Sequence, residues 1–429
     1  MLRQSDGPLP TANDSGPAAR RRASARRARP PLSRSDADRP ERRIGAHRTA
    51  IAACSEQVVR TFARELDHLG HQLSLTHSRL TDPNLARYIA TADLLAAHRS
   101  YDAAKAFLDH LTQVRPTGAA EKALIGALAR SPNVALVDGL LEIVEKRPDP
   151  KATSIAVEVL GWRREQAATE LLNGVVSAPL GVALQKAAIV ALGRIGQMSA
   201  IPALLQALDT PELGSQASIA LLLLGNWDGI DYQAQALAIN DPNLGSSAGE
   251  LVGRYGGPSY LLLLYRTAQS EGPAGYGALH GLGYLGDPRA IPHLLEATTS
   301  RDPTRRKVAS TAIELITGRH EDPEEAMLAH RWNEWWHHNE GNFVQGTRYR
   351  HGEPLHAGLL VNRLGHDEAL VRLACYDELV ITTGVGLPFD AEGPYRVQLT
   401  HRNAWARWWR ENRTEQPVGR WTFHGEPIG

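Results

Sequence analysis

VALQKAAIVALGRIGQMSAIPALLQAL, residues 182–208, decides the fold. Leu184, Ala188, Ala191 and Leu192 fall on one helical face, and Ile201, Leu204, Leu205 and Leu208 on another. Gly193 and Gly196 are expected to end the first helix, and Pro202 suits the first turn of the second. The stretch therefore reads as an amphipathic helix pair. Such a pair cannot bury its apolar faces alone, so it needs similar units on either side.

Those units are present. The apolar anchor of the first helix recurs as Leu128, Leu160, Leu192, Leu224, Val252, Leu282 and Leu315, at spacings of 32, 32, 32, 28, 30 and 33 residues. Leu95 lies 33 residues before Leu128 and marks the expected start of the array. Stacked pairs at this period build a continuous core, the signature of a solenoid. The beat weakens after Leu224, where GNWDGIDYQAQALAINDP departs from the usual turn. Residues 49–90 are expected to form a helical N-terminal cap, irregular over Ser55–Leu80.

The tail says nearly the same thing twice. Trp332, Trp335, Trp336, Asn339, Gly346, His351, Gly352, Glu353 and Pro354 return 73 positions later as Trp405, Trp408, Trp409, Asn412, Gly419, His424, Gly425, Glu426 and Pro427. Each copy pairs a Trp-rich helix with a short extended stretch, over Arg348–His351 and Arg420–His424, where alternation favours a strand. Pro354–Leu364 and Glu368–Thr383 read as further array helices, so the tail, residues 319–429, is expected to continue the solenoid that spans 91–318.

GALHGLGYLGDPRAIPHLLEATTSRDPTRRKVASTAIELITG, residues 277–318, resembles HEAT repeats of the type also found in phycobilin lyase subunits. The resemblance extends over roughly residues 90–385 and implies an α-solenoid. With its WxxWW helix, Phe343, Gly346-Thr347-Arg348-Tyr349 and Gly352-Glu353-Pro354, the tail looks like a bacterial HEAT-repeat family whose genes often lie in type VI secretion clusters. That second resemblance covers about residues 290–429.

Composition narrows the function classes. The formal net charge is zero. Residues 1–48 carry 12 Arg against 5 acids, which leaves the remaining chain at −7. This Arg-, Ser- and Pro-rich segment cannot bury enough apolar area to offset chain entropy and is expected to be disordered. It reads more simply as a solvated tail than as a basic arm. No apolar run approaches a membrane span of ~20 residues. Met1–Pro40 lacks the apolar stretch of a signal peptide. With Cys54 and Cys375 as the two cysteines, no disulfide framework is expected, and a reducing, cytoplasmic setting follows. Arginine outnumbers lysine 41 to 6, as in a GC-rich bacterial genome.

Several motifs resolve to plain readings. Gly281-Leu282-Gly283-Tyr284-Leu285-Gly286 fits a dinucleotide fingerprint, but it falls at a helix end in the repeat register rather than after a strand. Ten of the 17 histidines follow residue 290, without HxxxH, HExxH or CxxC, so neither metal nor cofactor is expected. HEAT-type hydroxylases hold iron through several His-Glu pairs, and this chain has one, His320-Glu321. A nucleic-acid groove needs a cationic stripe, against which the net −7 argues; Arg305-Arg306-Lys307 is a short cluster.

What remains is an all-α solenoid of HEAT-like pairs ending in a duplicated Trp-rich module with short strands. The expected task is non-catalytic scaffolding of other proteins, with a bilin-lyase-like activity and nucleic-acid binding as alternatives. Trp332, Trp335 and Trp336, and likewise Trp405, Trp408 and Trp409, share a helical stripe that packs as core and leaves rims for a partner. Arg348, His351, Trp421 and His424 complete the set of partner-binding or structural anchors, the two histidines matching a turn requirement.

Overall fold

The computed structural model describes residues 39–75, 83–324 and 327–429. Most of the basic segment 1–48 lies outside them. Its last ten residues open a helix, α1 (Arg39–Leu75), where disorder was expected. The chain divides into two compact units, residues 1–57 and 58–429, and the array and tail belong to the second.

Eight helical pairs follow in order. They are α2 and α3 (Pro83–Ala96, Tyr101–Gln113), α4 and α5 (Gly118–Arg130, Ala135–Lys146), α6 and α7 (Pro150–Arg163, Thr169–Ser177), and α8 and α9 (Val182–Ile195, Ile201–Leu208). Next come α10 and α11 (Gly214–Leu223, Asp228–Ala238), α12 and α13 (Gly245–Tyr255, Leu261–Ala268), α14 and α15 (Pro273–Leu285, Ile291–Ala297), and α16 and α17 (Pro303–Thr317, Leu328–Asn339). First helices stack on first helices and second on second, giving two layers. Start signals are local: Asp149 and Asp302 accept from backbone N–H groups of α6 and α16, each followed by a proline. At the array's start, buried His110 joins Asp67 of α1 at 2.6 Å to Tyr88 of α2 at 2.9 Å.

The anchors Leu128, Leu160, Leu192, Leu224, Val252 and Leu282 are all buried. Leu315 is half-buried, and its neighbour Ile316 takes the core position. Gly196 ends α8 in the left-handed region, φ 80°, as expected. Gly193 does not. It lies inside the helix, and a Cβ there would meet the Ala220 backbone at 3.0 Å. Gly161, Gly193, Gly253 and Gly283, each following an anchor, are thus packing devices. They let adjacent first-layer helices approach backbone to backbone, most closely where a Cβ on Gly253 would fall 2.0 Å from the Gly281 carbonyl oxygen. Gly281 and Gly283 of the dinucleotide-like motif belong to this helix contact, and Gly286 caps α14.

One seam interrupts the stack. Packing between successive first-layer helices is weakest between α10 and α12, where the sequence beat falters. The apolar core divides at this point, one cluster ending at Leu224 and the next beginning at Ala234. The tail closes the gap. After α17 come a hairpin (β1 Tyr349–Arg350, β2 Glu353–Pro354), α18 (Ala357–Arg363), α19 (Ala369–Thr383), α20 (Tyr395–Asn412) and a second hairpin (β3 Thr422–Phe423, β4 Glu426–Pro427). Helix α17 stacks on α15 in the manner of the array, but α19 lies back against α10 and α12. The tail, expected to continue the solenoid, thus also folds back on it. Ile381 of α19 and Phe423 of β3 join Leu222, Ile230 and Tyr255 in a small core that bridges the seam.

Gly253→Ala is expected to destabilise the chain by about 2 kcal/mol or more, because two backbones would have to separate. Gly174→Ala, on an exposed helical position with open space, is expected to gain up to about 1 kcal/mol. Urea titrations of the two variants check the contrast.

Candidate functional site

The side chains two positions beyond the anchors from Leu128 to Leu282 form a row along the C-terminal ends of the first-layer helices. Its members are Arg130, Trp162, Arg194, Arg254 and Tyr284, with a break at the seam, where Asn226 stands. Cations suit this place because the last carbonyls of a helix carry partial negative charge. The row is knit by cation–π contacts. The Arg194 guanidinium lies 3.7 Å from the Trp162 ring centroid, and Arg254 lies 3.9 Å from that of Tyr284.

The tail lies along this row. Lys122 meets Glu392 at 3.1 Å, and Arg130 meets Asp390 at 3.5 Å. Arg164 donates to the Gly386 carbonyl and the Tyr376 hydroxyl. Arg254 approaches Glu378 at 3.8 Å. Helix ends otherwise leave their final carbonyls without partners, and the tail supplies donors to them in turn. His424 Nε2 donates to Leu222 O at 2.9 Å, and Arg348 to Arg254 O at 2.8 Å. Trp421 Nε1 donates to Leu285 O at 2.8 Å, and the Tyr349 amide to Gly286 O at 2.8 Å.

At the seam three guanidinium groups surround one buried carboxylate, and one of them, Arg254, also pairs with Glu250 of its own helix. Glu378 is 1% exposed and accepts from Arg348 at 3.0 Å and from Arg350 at 3.1 Å, with Arg254 beside them. Burial alone would raise its pKa. Arg350, Arg348 and Arg254 more than reverse that, so the carboxyl lies below its ordinary range. Arg348 is pulled down to about 10, by burial first and then by its two like-charged neighbours. Carbonyls at the ends of α12 and α14 take up donors that one carboxylate cannot. Asp377, the next residue, is pushed up to about 6 by burial, against the pull of Arg194 and Arg254.

The residues singled out in the sequence separate into two apolar clusters and two turns. Trp332 and Trp405 are fully buried, the first donating to Ser310 Oγ at 2.9 Å. Trp335 and Trp336 are half-buried around Phe343, and Trp408 and Trp409 half-buried with Trp409 stacked on His356. Trp421 joins the cluster of Trp332, while Trp405, Trp408 and Trp409 form their own with α18 and α19. His351 and His424 have φ of 52° and 49°, each followed by a glycine at positive φ, the geometry of a two-residue hairpin turn. In both turns the two amides donate to the end of the preceding array helix, to Leu315 O and Ile316 O, and to Ile381 O and Thr382 O. Burial, then Arg363 and Arg350, lowers the His351 pKa to about 4. The His320-Glu321 pair separates, His320 pairing with Glu314 and buried Glu321 with Arg319. Among the described residues no three His, Cys, Asp or Glu side chains are placed to hold a metal. No described helix is long and apolar enough to cross a membrane.

Comparison with known proteins gives the same architecture. Residues 137–225 match the family model for HEAT repeats, and residues 276–300 that for the PBS lyase HEAT-like repeat. No curated protein matches. Among solved structures, human deoxyhypusine hydroxylase in complex with glycerol is similar over 61% of this chain and 98% of its own, at 14% identity and a TM-score of 0.25. The complex of CpcE and CpcF of phycocyanin lyase from Nostoc sp. is similar over 59% of this chain and 90% of that one, at 19% identity and a TM-score of 0.28.

Glu378→Gln leaves three guanidinium groups around a neutral side chain and is expected to cost about 3–5 kcal/mol, read as a lower urea midpoint. Asp377→Asn has the opposite sign. The folded pKa of Asp377 lies above its ordinary 3.8, so its ionisation opposes folding above about pH 6. The variant is expected to be more stable than wild type at pH 7.5. The gain shrinks as pH falls from 6 towards 3.8 and vanishes below. Paired denaturation curves across that range check it.

Proposed function

We propose that the chain is a non-catalytic adaptor that holds other proteins along its helical-repeat scaffold. One observation supports this above others: a single face of the array carries a row of cationic and aromatic side chains in repeat register, and that face already holds a polypeptide, the chain's own tail. Arg and large aromatics are the side chains most enriched at protein-interface hot spots. Repeat stacking extends such a surface without requiring a catalytic group anywhere on it. The resemblance of the duplicated tail to a family encoded near type VI secretion genes leads us to seek the partner in that apparatus.

Affinity purification of the full chain from its native host, read by mass spectrometry, tests the proposal. An adaptor is expected to bring down a reproducible partner that survives single changes such as His320→Ala or His337→Ala. The same partner should be lost on charge reversal along the row, as in Lys122→Glu with Arg130→Glu. Secretion-apparatus proteins in the eluate would support the finer assignment, and other partners would remove it. No enrichment over an untagged control would overturn the adaptor reading.

A further inference from the structure

The row is not held equally along its length. At the Glu378 end every charged partner is buried, with Arg254, Arg348 and Arg350 at 5%, 1% and 6% exposure. At the other end the contacts lie near solvent. The Lys122 and Glu392 side chains are 70% and 59% exposed, and those of Arg130 and Asp390 are each 23% exposed. Exposed pairs of this kind contribute little, about 0–1 kcal/mol each.

The segment that supplies these acids, residues 384–394, contains neither helix nor strand and begins at Gly384 in the left-handed region. It is pinned by Phe389, which is buried in the tail's own apolar cluster rather than in the array. Arg372 of α19 holds the Ala391 carbonyl as well. The contacts that keep the segment folded are therefore with the tail, and its contacts with the row are polar. Arg164, between the two ends, meets only neutral acceptors and makes no ion pair among the described residues. Arg130 also pairs with Asp93 of the array, at 2.9 Å.

We propose that Lys122, Arg130 and Arg164 form a docking site for an acidic segment of a partner protein, and that the chain's own Asp390 and Glu392 occupy it in competition. The inference rests on the adaptor reading and adds to it the chemistry of the partner and a built-in competitor. The basis is charge complementarity with an occupant already seated: two carboxylates two residues apart, set against two cations of one array helix, α4, with Arg164 of the next repeat beside the same segment. Attraction of this type selects the partner and speeds encounter more than it adds affinity, so a weak internal competitor is enough to gate it.

The test uses the full chain and a fluorescein-labelled hexaglutamate peptide, followed by anisotropy at low ionic strength. Asp390→Asn with Glu392→Gln is expected to bind the peptide at least tenfold tighter than wild type, and added salt should erase the gain. Lys122→Glu with Arg130→Glu is expected to abolish binding. Arg306→Glu with Lys307→Glu, a basic cluster elsewhere, should change nothing. Equal affinity in wild type and the Asp390/Glu392 variant would overturn the proposal. So would equal losses from the two charge reversals, which would mean unselective attraction. Circular dichroism melts matched to wild type ensure that each variant is folded. A purified partner whose capture is indifferent to all these changes would leave the adaptor reading standing and remove this one.

Discussion

Glu378 is the carboxylate on which the arrangement of the second half depends. Three guanidinium groups converge on it at a site with almost no solvent, and they come from different parts of the chain. Arg254 belongs to the array, Arg348 and Arg350 to the first hairpin, and Glu378 itself to α19. Leaving any of these charges buried without its partners would cost several kcal/mol, so the elements carrying them are committed to one arrangement. That arrangement puts α19 against α10 and α12, at the place where the array's own packing is weakest.

The same geometry explains why a module with two hairpins sits there at all. A stack of helices ending along one edge leaves a line of unpaired carbonyls. The hairpin turns, with His-Gly at positive φ, aim paired amides at the last turn of α16 and of α19. Equivalent positions in the two copies then do different work. Where Arg348 reaches the carboxylate, the corresponding Trp421 fills an apolar space and bonds a carbonyl of α14. Where Arg350 stands in the first strand, Phe423 stands in the second and meets Trp227 edge-on at 5.0 Å. The duplication supplies one polar and one apolar fastening for a single seam. The tail that stabilises the array also covers its cationic row.

Much of this was legible in the sequence. The anchors from Leu128 to Leu282 located the core, and the 73-residue offset located the two Trp-rich helices and the extended stretches that form the first strands of the hairpins. The departure at Gly225–Pro242 marked the seam, because a turn that breaks the repeat cannot present the usual face to its neighbour. Other features were hidden for physical reasons. Gly193 carries no sign of whether it ends a helix or admits a neighbouring backbone, and only the approach of Ala220 decides. The row at Arg130, Trp162, Arg194, Arg254 and Tyr284 was visible as a fixed offset from the anchors. It was indistinguishable there from the solvated residues that also recur once per repeat. The return of α19 was beyond reach, since it depends on Arg348 and Glu378 meeting Arg254, more than 90 positions away.

The most direct measurement of this account is hydrogen–deuterium exchange of the intact chain, followed at the hairpin amides of His351, Gly352, His424 and Gly425 and along α19. If the tail closes the seam, those amides exchange as slowly as α12 and α14, whose ends the neighbouring Arg348, Tyr349 and Trp421 secure. Exchange within seconds in the hairpins and α19, with α12 and α14 still protected, would mean that the array stands without its tail, and would contradict the account.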